Sequence, residues 1–206
     1  MNTATQTTLP DSTWRTLYAE LRPALRLFLV LTVITGFIYP LLITGIAQGI
    51  FAHEANGSLI QRDGKPVGSI LIGQPFSDAK YLWGRPSATA PQPYNGLASS
   101  GSNLGPLNPA LADAVKARIA DLRAANPTQL GPVPQELVTT SASGLDPHIS
   151  PQAALWQLDR IAHARSVPAS QVRAIIDKYT ELPTLGLFGE DRVNVLQVNL
   201  ALDELK

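Results

Sequence analysis

The sequence predicts a mixed α/β (α+β) soluble domain carried on a single N-terminal transmembrane helix. Three observations predict it. The 26 residues from Leu27 to Ala52 carry no charged side chain. Two β-rich stretches flank Asp63-Gly64-Lys65-Pro66, and three later segments show helical apolar spacing behind proline-marked starts.

The charge-free run reads LFLVLTVITGFIYPLLITGIAQGIFA. A helix of that length spans about 39 Å at ~1.5 Å per residue, against roughly 30 Å of hydrocarbon, so it crosses a bilayer with some tilt. A buried core helix would show a polar stripe, and here Thr32, Thr35, Tyr39, Thr44 and Gln48 are the only polar side chains, none of them charged at neutral pH. A cleavable signal has an apolar core of only ~7–15 residues before a small-x-small site, and Phe51-Ala52-His53-Glu54 is a poor one. The reading is an uncleaved anchor at 25–52, with a short N-terminus at 1–24 and an α/β domain at 53–206. Arg15, Arg22 and Arg26 lie on the N-terminal side of the charge-free run, while Arg62 and Lys65 are the first Lys or Arg after it. The positive-inside bias then keeps the N-terminus cytoplasmic and exports the domain. Pro40, Gly45 and Gly49 mark the anchor as a packing helix: proline is tolerated in lipid where neighbours re-satisfy the backbone, and small residues admit close approach.

Composition bounds the exported part. Sixteen Lys+Arg balance sixteen Asp+Glu, which leaves no field for nucleic acid. Cysteine is absent, which excludes a disulfide framework, thiolate catalysis and Cys-ligated zinc. The 154 residues after the anchor suffice for one domain. Ser58–Arg62 and Val67–Ile72 read as a hairpin about the Asp-Gly turn. Asn108-Pro109 starts a helix with Leu111, Val115, Ile119 and Leu122 on one face, stopped at Asn126-Pro127. Ser150-Pro151 starts a second, with Leu155, Leu158, Ile161 and Ala162, and a third follows Pro168 with Val172, Ile175, Ile176 and Tyr179. After Val193 and Val195 the apolar phase shifts, which fits a bulged strand or a strand turning into a short helix.

The unusual segment is Pro86 to Ala112, where 27 uncharged residues include five prolines and three glycines. A disordered linker is normally charged and poor in apolar groups, whereas Tyr94, Leu97, Leu104 and Leu107 give this one something to bury. It is read as a long ordered loop, 84–109, and such loops are usually functional. Arg85, the adjacent cation, is expected to be held by loop carbonyls, with Ser87, Ser100, Asn103 and Gly105 shaping a partner-docking surface.

No catalytic constellation stands out. Ser77-Asp78-Ala79-Lys80 matches S-x-x-K, so a membrane-anchored serine acyl enzyme using Ser77 and Lys80 is one alternative, but K-T-G and S-D-N are missing. Asp146 and His148 lack a G-x-S-x-G partner, and Asp159 with His163 reads as a solvated helix pair. His53, His148 and His163 have no metal-ligand spacing. Ser99 to Gly105 supplies amides without the lysine of a phosphate loop. A lone anchored sensor domain is the remaining alternative.

The motifs resemble one family throughout. LRPAL at 21–25, YPLL at 39–42, ANGSLI at 55–60 and GSILIGQPF at 68–76 lead it. GRPSATA at 84–90, PYN at 93–95, SSGSNLGPLNP at 99–109, LVTTSASGLDPHISPQAA at 137–154 and VNVLQVNLALDEL at 193–205 follow in order. The chain resembles the C subunit of the Kdp potassium-transporting P-type ATPase, and Ser-Ser-Gly where Ser-Gly-Gly is expected is a small departure. The resemblance implies a non-catalytic accessory subunit of a high-affinity potassium uptake pump in the bacterial cytoplasmic membrane. Its partners would be a potassium-pore subunit, a P-type ATPase subunit, a small single-span subunit and membrane lipid. Potassium would be carried by the pore subunit. The resemblance also implies a catalytic chaperone that raises the ATPase subunit's affinity for ATP, with ATP binding ascribed to the family and a glutamine matching Gln157. The charge-based topology conflicts with direct nucleotide contact, because an exported domain meets no ATP.

Overall fold

The computed structural model describes residues 13–205, in two compact units of which the second begins at Gly57. The first unit is helical. α1 (Thr13–Val33) passes through a π-helical stretch (Ile34–Ile38) into α2 (Tyr39–Ile50), and the short α3 (Ala52–Ala55) follows. Arg15–Ile50, 36 residues, is long and apolar enough to cross a membrane, and its side chains lie exposed. The π stretch ends two residues before Pro40. Proline has no N–H for the carbonyl four residues back and clashes with it, and widening the turn eases the clash. Tyr39 N accordingly donates to Ile34 O, five residues back, and Thr35 Oγ1 donates to Leu31 O at 2.7 Å. A Cβ added at Gly45 or Gly49 would meet nothing within 4 Å, so that side of α2 is open.

In the second unit, β1 (Leu59–Arg62) and β2 (Lys65–Ser69) form an antiparallel hairpin. Asp63 and Gly64 lie at φ 52° and 72° and close the turn in two residues. That is why Lys65 and Pro66, read from sequence as part of the turn, pair instead with Arg62 and Gln61. No helix or strand interrupts residues 70–108. α4 (Pro109–Ala125) starts on Asn108, whose side chain accepts from Ala110 N at 3.0 Å. Its predicted stripe is only shallowly covered: Leu122 is buried, while Ile119 is exposed.

After a 3-10 turn (Gln135–Leu137), β3 (His148–Ile149) leads into α5 (Pro151–Trp156) and α6 (Leu158–Arg165). The sequence predicts one helix here; the structure breaks it at Gln157, whose side chain is committed elsewhere, as described below. The start is as predicted, with Ser150 Oγ accepting from Ala153 N at 3.1 Å. α7 (Ala169–Lys178) buries Val172 and Ile176. β4 (Thr180–Glu181) and β5 (Arg192–Asn194) precede α8 (Val195–Leu202), so the phase shift after Val193 is a strand becoming a helix. Asn194 makes the switch, its side chain accepting from Gln197 N at 3.1 Å. The sheet order is β3-β5-β4, all antiparallel. Ile149, Ile161, Val172, Ile176, Val193, Val198 and Leu202 form its core with Leu82 from the irregular segment.

Candidate functional site

The segment 79–85 leaves a turn closed by Tyr81 N on Asp78 O and joins no strand, so its peptide groups need other partners. Side chains supply them. Asn199 receives Leu82 N at 2.7 Å and donates to Leu82 O at 2.9 Å. Gln157 does the same for the next residue: Trp83 N donates to its Oε1 at 2.9 Å, and its Nε2 donates to Trp83 O at 3.0 Å. Arg160 Nη2 donates to the same Oε1 at 2.7 Å, and its guanidinium lies 4.1 Å from the Trp83 ring centroid. Burial pulls the Arg160 pKa down to about 10, which leaves it charged at neutral pH. Arg165 Nε donates to Lys80 O at 2.7 Å, and its Nη2 to Asp203 at 2.8 Å. Two amides and two arginines from α5–α8 therefore do the work of a neighbouring strand.

This rail delivers Arg85 to the head of the long loop. Arg85 Nη1 pairs with Asp146 Oδ2 at 3.2 Å, and Nη2 donates to Thr140 O at 3.3 Å. The principal partner is thus a carboxylate outside the loop, where loop carbonyls were expected. Asp146 Oδ1 also accepts from His148 N at 3.0 Å, with the His148 ring nitrogen 3.6 Å away. Burial alone would raise the Asp146 pKa; the His148 hydrogen bonds and the Arg85 charge outweigh it and hold the carboxyl below its usual value.

Ser87 is the hub of the loop. Its hydroxyl donates to Gly144 O at 2.7 Å and accepts from Tyr94 N at 2.9 Å. Thr89 Oγ1 accepts from Asn95 N at 3.0 Å and donates to Gln92 O at 2.7 Å. The Tyr94 hydroxyl donates to Arg85 O. Burial, reinforced by Asp146, pushes its pKa up to about 12, so it remains a donor across the physiological range. The facing strip, 141–146, is equally tight: a Cβ on Gly144 (φ 68°) would lie 2.5 Å from Ser100 O and 2.7 Å from Thr89 Cγ2.

The predicted loop residues separate on this geometry. Arg85 and Ser87 are joined to the 140–146 strip. Ser100 joins it through its backbone, N donating to Ser143 O at 2.9 Å, while its hydroxyl is exposed. Asn103 lies at φ 51° and is exposed, and Gly105 contributes its carbonyl to Asn108 N at 3.0 Å. Tyr94 is largely covered, but Leu97 and Leu107, expected to bury, are fully or almost fully exposed. Gln157 lies wholly inside the domain with its amide occupied. Sequence reasoning missed Thr89, Gly144 and the role of Asp146. One signal was present: Arg85 borders a charge-free stretch, and Asp146 is the only Asp, Glu, Lys or Arg between 137 and 158.

A cleft of about 320 Å³ opens between the loop and α4, lined by Phe76, Trp83, Arg85, Tyr94, Arg118 and Asp121 among others. Ser77 also lines it, and no hydrogen bond joins Ser77 to Lys80 among the described residues; the Lys80 ammonium lies 4.0 Å from Asp78. Among the described residues no three His, Asp or Glu side chains converge as a metal site.

Fold and site together define a class: an α+β domain with a side-chain-clamped surface loop, preceded by one helix long enough to span a bilayer. The chain belongs to the family described as KdpC, the K+-transporting ATPase c chain, whose model matches residues 21–204. It is 63% identical over 186 residues to the potassium-transporting ATPase KdpC subunit of Polaromonas naphthalenivorans, covering 90% of this chain and 95% of that one. The subunits of the same name from Sorangium cellulosum and Ralstonia nicotianae are 62% and 58% identical, with 90% of this chain covered and 97% and 91% of theirs.

Proposed function

We propose that this chain is a non-catalytic accessory subunit of an ATP-driven potassium uptake pump, needed for the pump's assembly and activity. The observation that carries the reading is the family match over residues 21–204, which spans both the apolar helix and the domain. Three arginines on the N-terminal side of the charge-free run, against Arg62 and Lys65 after it, support a cytoplasmic N-terminus and an exported domain. The partners are then the pore subunit, the P-type ATPase subunit and the small single-span subunit, with the 84–109 loop as a docking surface.

A catalytic-chaperone action on ATP affinity follows from this placement without nucleotide contact. A domain that binds one conformational state of the complex more tightly shifts its population, and coupling between distant sites needs only that difference. The closed hydrogen-bond set around Gln157 favours this indirect route, since a nucleotide would have to displace Trp83 or Arg160 from its amide.

The test is purification of the pump with and without this chain. Loss of assembly or ATP-driven potassium uptake is expected when it is omitted; a complete, fully active pump lacking it would refute the reading. A reporter fused after Lys206 checks the topology, and a cytoplasmic signal would refute the exported domain.

A further inference from the structure

Between β4 and β5 the chain turns through Leu182-Pro183-Thr184-Leu185-Gly186-Leu187-Phe188-Gly189, eight residues without a charge. Leu182, Leu185, Leu187 and Phe188 are 74%, 83%, 81% and 67% exposed. A single exposed leucine is ordinary. Four large apolar side chains in one turn reach the scale of the ~300–600 Å² patches that mark interaction sites.

The turn is built rather than slack. Thr184 N donates to Phe188 O at 2.9 Å, Phe188 N to Thr184 O at 3.0 Å, and Gly186 N to Pro183 O at 2.9 Å. At its apex Leu185 sits at φ 57°, the left-handed region that suits glycine or asparagine and crowds a leucine Cβ. Both backbone and water disfavour leucine there, and local strain of that kind gathers at functional sites.

The surroundings of the tip select its occupant. Glu181 is paired with Arg192 at 2.8 Å, but Glu190 and Asp191 form no salt bridge among the described residues. The tip is therefore apolar with a negative collar. An anionic lipid surface repels such a collar, and the turn has none of the Lys, Arg, Trp or Tyr that anchor a loop at a bilayer interface. A protein socket with an apolar floor and a Lys/Arg rim matches both features.

We propose that the 182–189 turn is a plug that seats this domain in an apolar, basic-rimmed socket on another subunit of the same pump, with Leu185 at its centre. The inference rests on the accessory-subunit reading above. Asparagine tolerates the left-handed backbone, so L185N is expected to hold or raise the melting temperature of the full-length chain in detergent. The same variant, and F188D, should cut retention on the tagged complex of the other pump subunits about tenfold, the scale of one lost apolar anchor. A photo-crosslinking residue at position 187 of the assembled complex should label another pump subunit. Unchanged retention of both variants, or crosslinks only to lipid or to a second copy of this chain, would overturn the plug. If the unsubstituted chain is itself not retained, the accessory-subunit reading fails, and the plug with it.

Discussion

Gln157 and Trp83 face each other as two strands would. The side-chain amide of one closes both backbone hydrogen bonds of the other, at 2.9 and 3.0 Å, inside the core. The break between α5 and α6 follows from this pairing, because Gln157 is turned inward at the junction. Q157L should leave the Trp83 amide and one Arg160 donor unpaired and destabilise the domain by about 2–4 kcal/mol. Thermal melting of the full-length chain checks it. Where the variant is retained in the pump, the ATP affinity should be unchanged if Gln157 is structural.

The Arg85–Asp146 pair joins the loop to the 140–146 strip, with both side chains about a quarter to a third exposed. R85A and D146A should each weaken the same contact, so the double variant should lose less than the sum, with a coupling of about 1 kcal/mol. A double-mutant cycle on melting measures it. Strict additivity would show that the pair does not fix the loop.

Asp146 also sets an acid limit. A carboxyl whose folded pKa lies below its unfolded value of about 3.9 contributes stability above that pH. The contribution is lost as pH falls through the folded value. The chain's melting temperature should therefore decline below about pH 4 in part through this group. D146N should be less stable at neutral pH and should flatten that part of the decline, which a pH series of melts records.

Gly144 cannot accept a side chain. Its φ of 68° is unfavourable for alanine, and a Cβ would lie 2.5 Å from a backbone oxygen that is itself held in the loop. G144A should cost about 2–4 kcal/mol, whereas G105A, with open space around it, should change stability by less than about 1 kcal/mol. Comparative melts distinguish the two.

G45L and G49L should weaken co-purification with the ATPase subunit while membrane insertion continues, because added bulk blocks helix approach without lowering hydrophobicity. Unchanged co-purification would leave assembly to the domain that begins at Gly57.

The sequence by itself determined the elements whose signals are local. A charge-free run makes a helix long enough to span a bilayer, Asp63-Gly64 closes a hairpin, and Asn108-Pro109, Ser150-Pro151 and Pro168 start helices at the expected positions. Each depends on groups within a few residues of one another, so spacing suffices. The tertiary structure decided what long-range pairing controls. Asp146 reaches Arg85 across 61 residues of sequence, Gln157 reaches Trp83 across 74, and Asn199 reaches Leu82 across 117. Nothing near Gln157 signals that its amide will replace a strand, so one continuous helix was the natural expectation. The same reason applies to Leu97 and Leu107, since apolar character reveals what a side chain gains by burial and not whether the fold provides a surface to cover it.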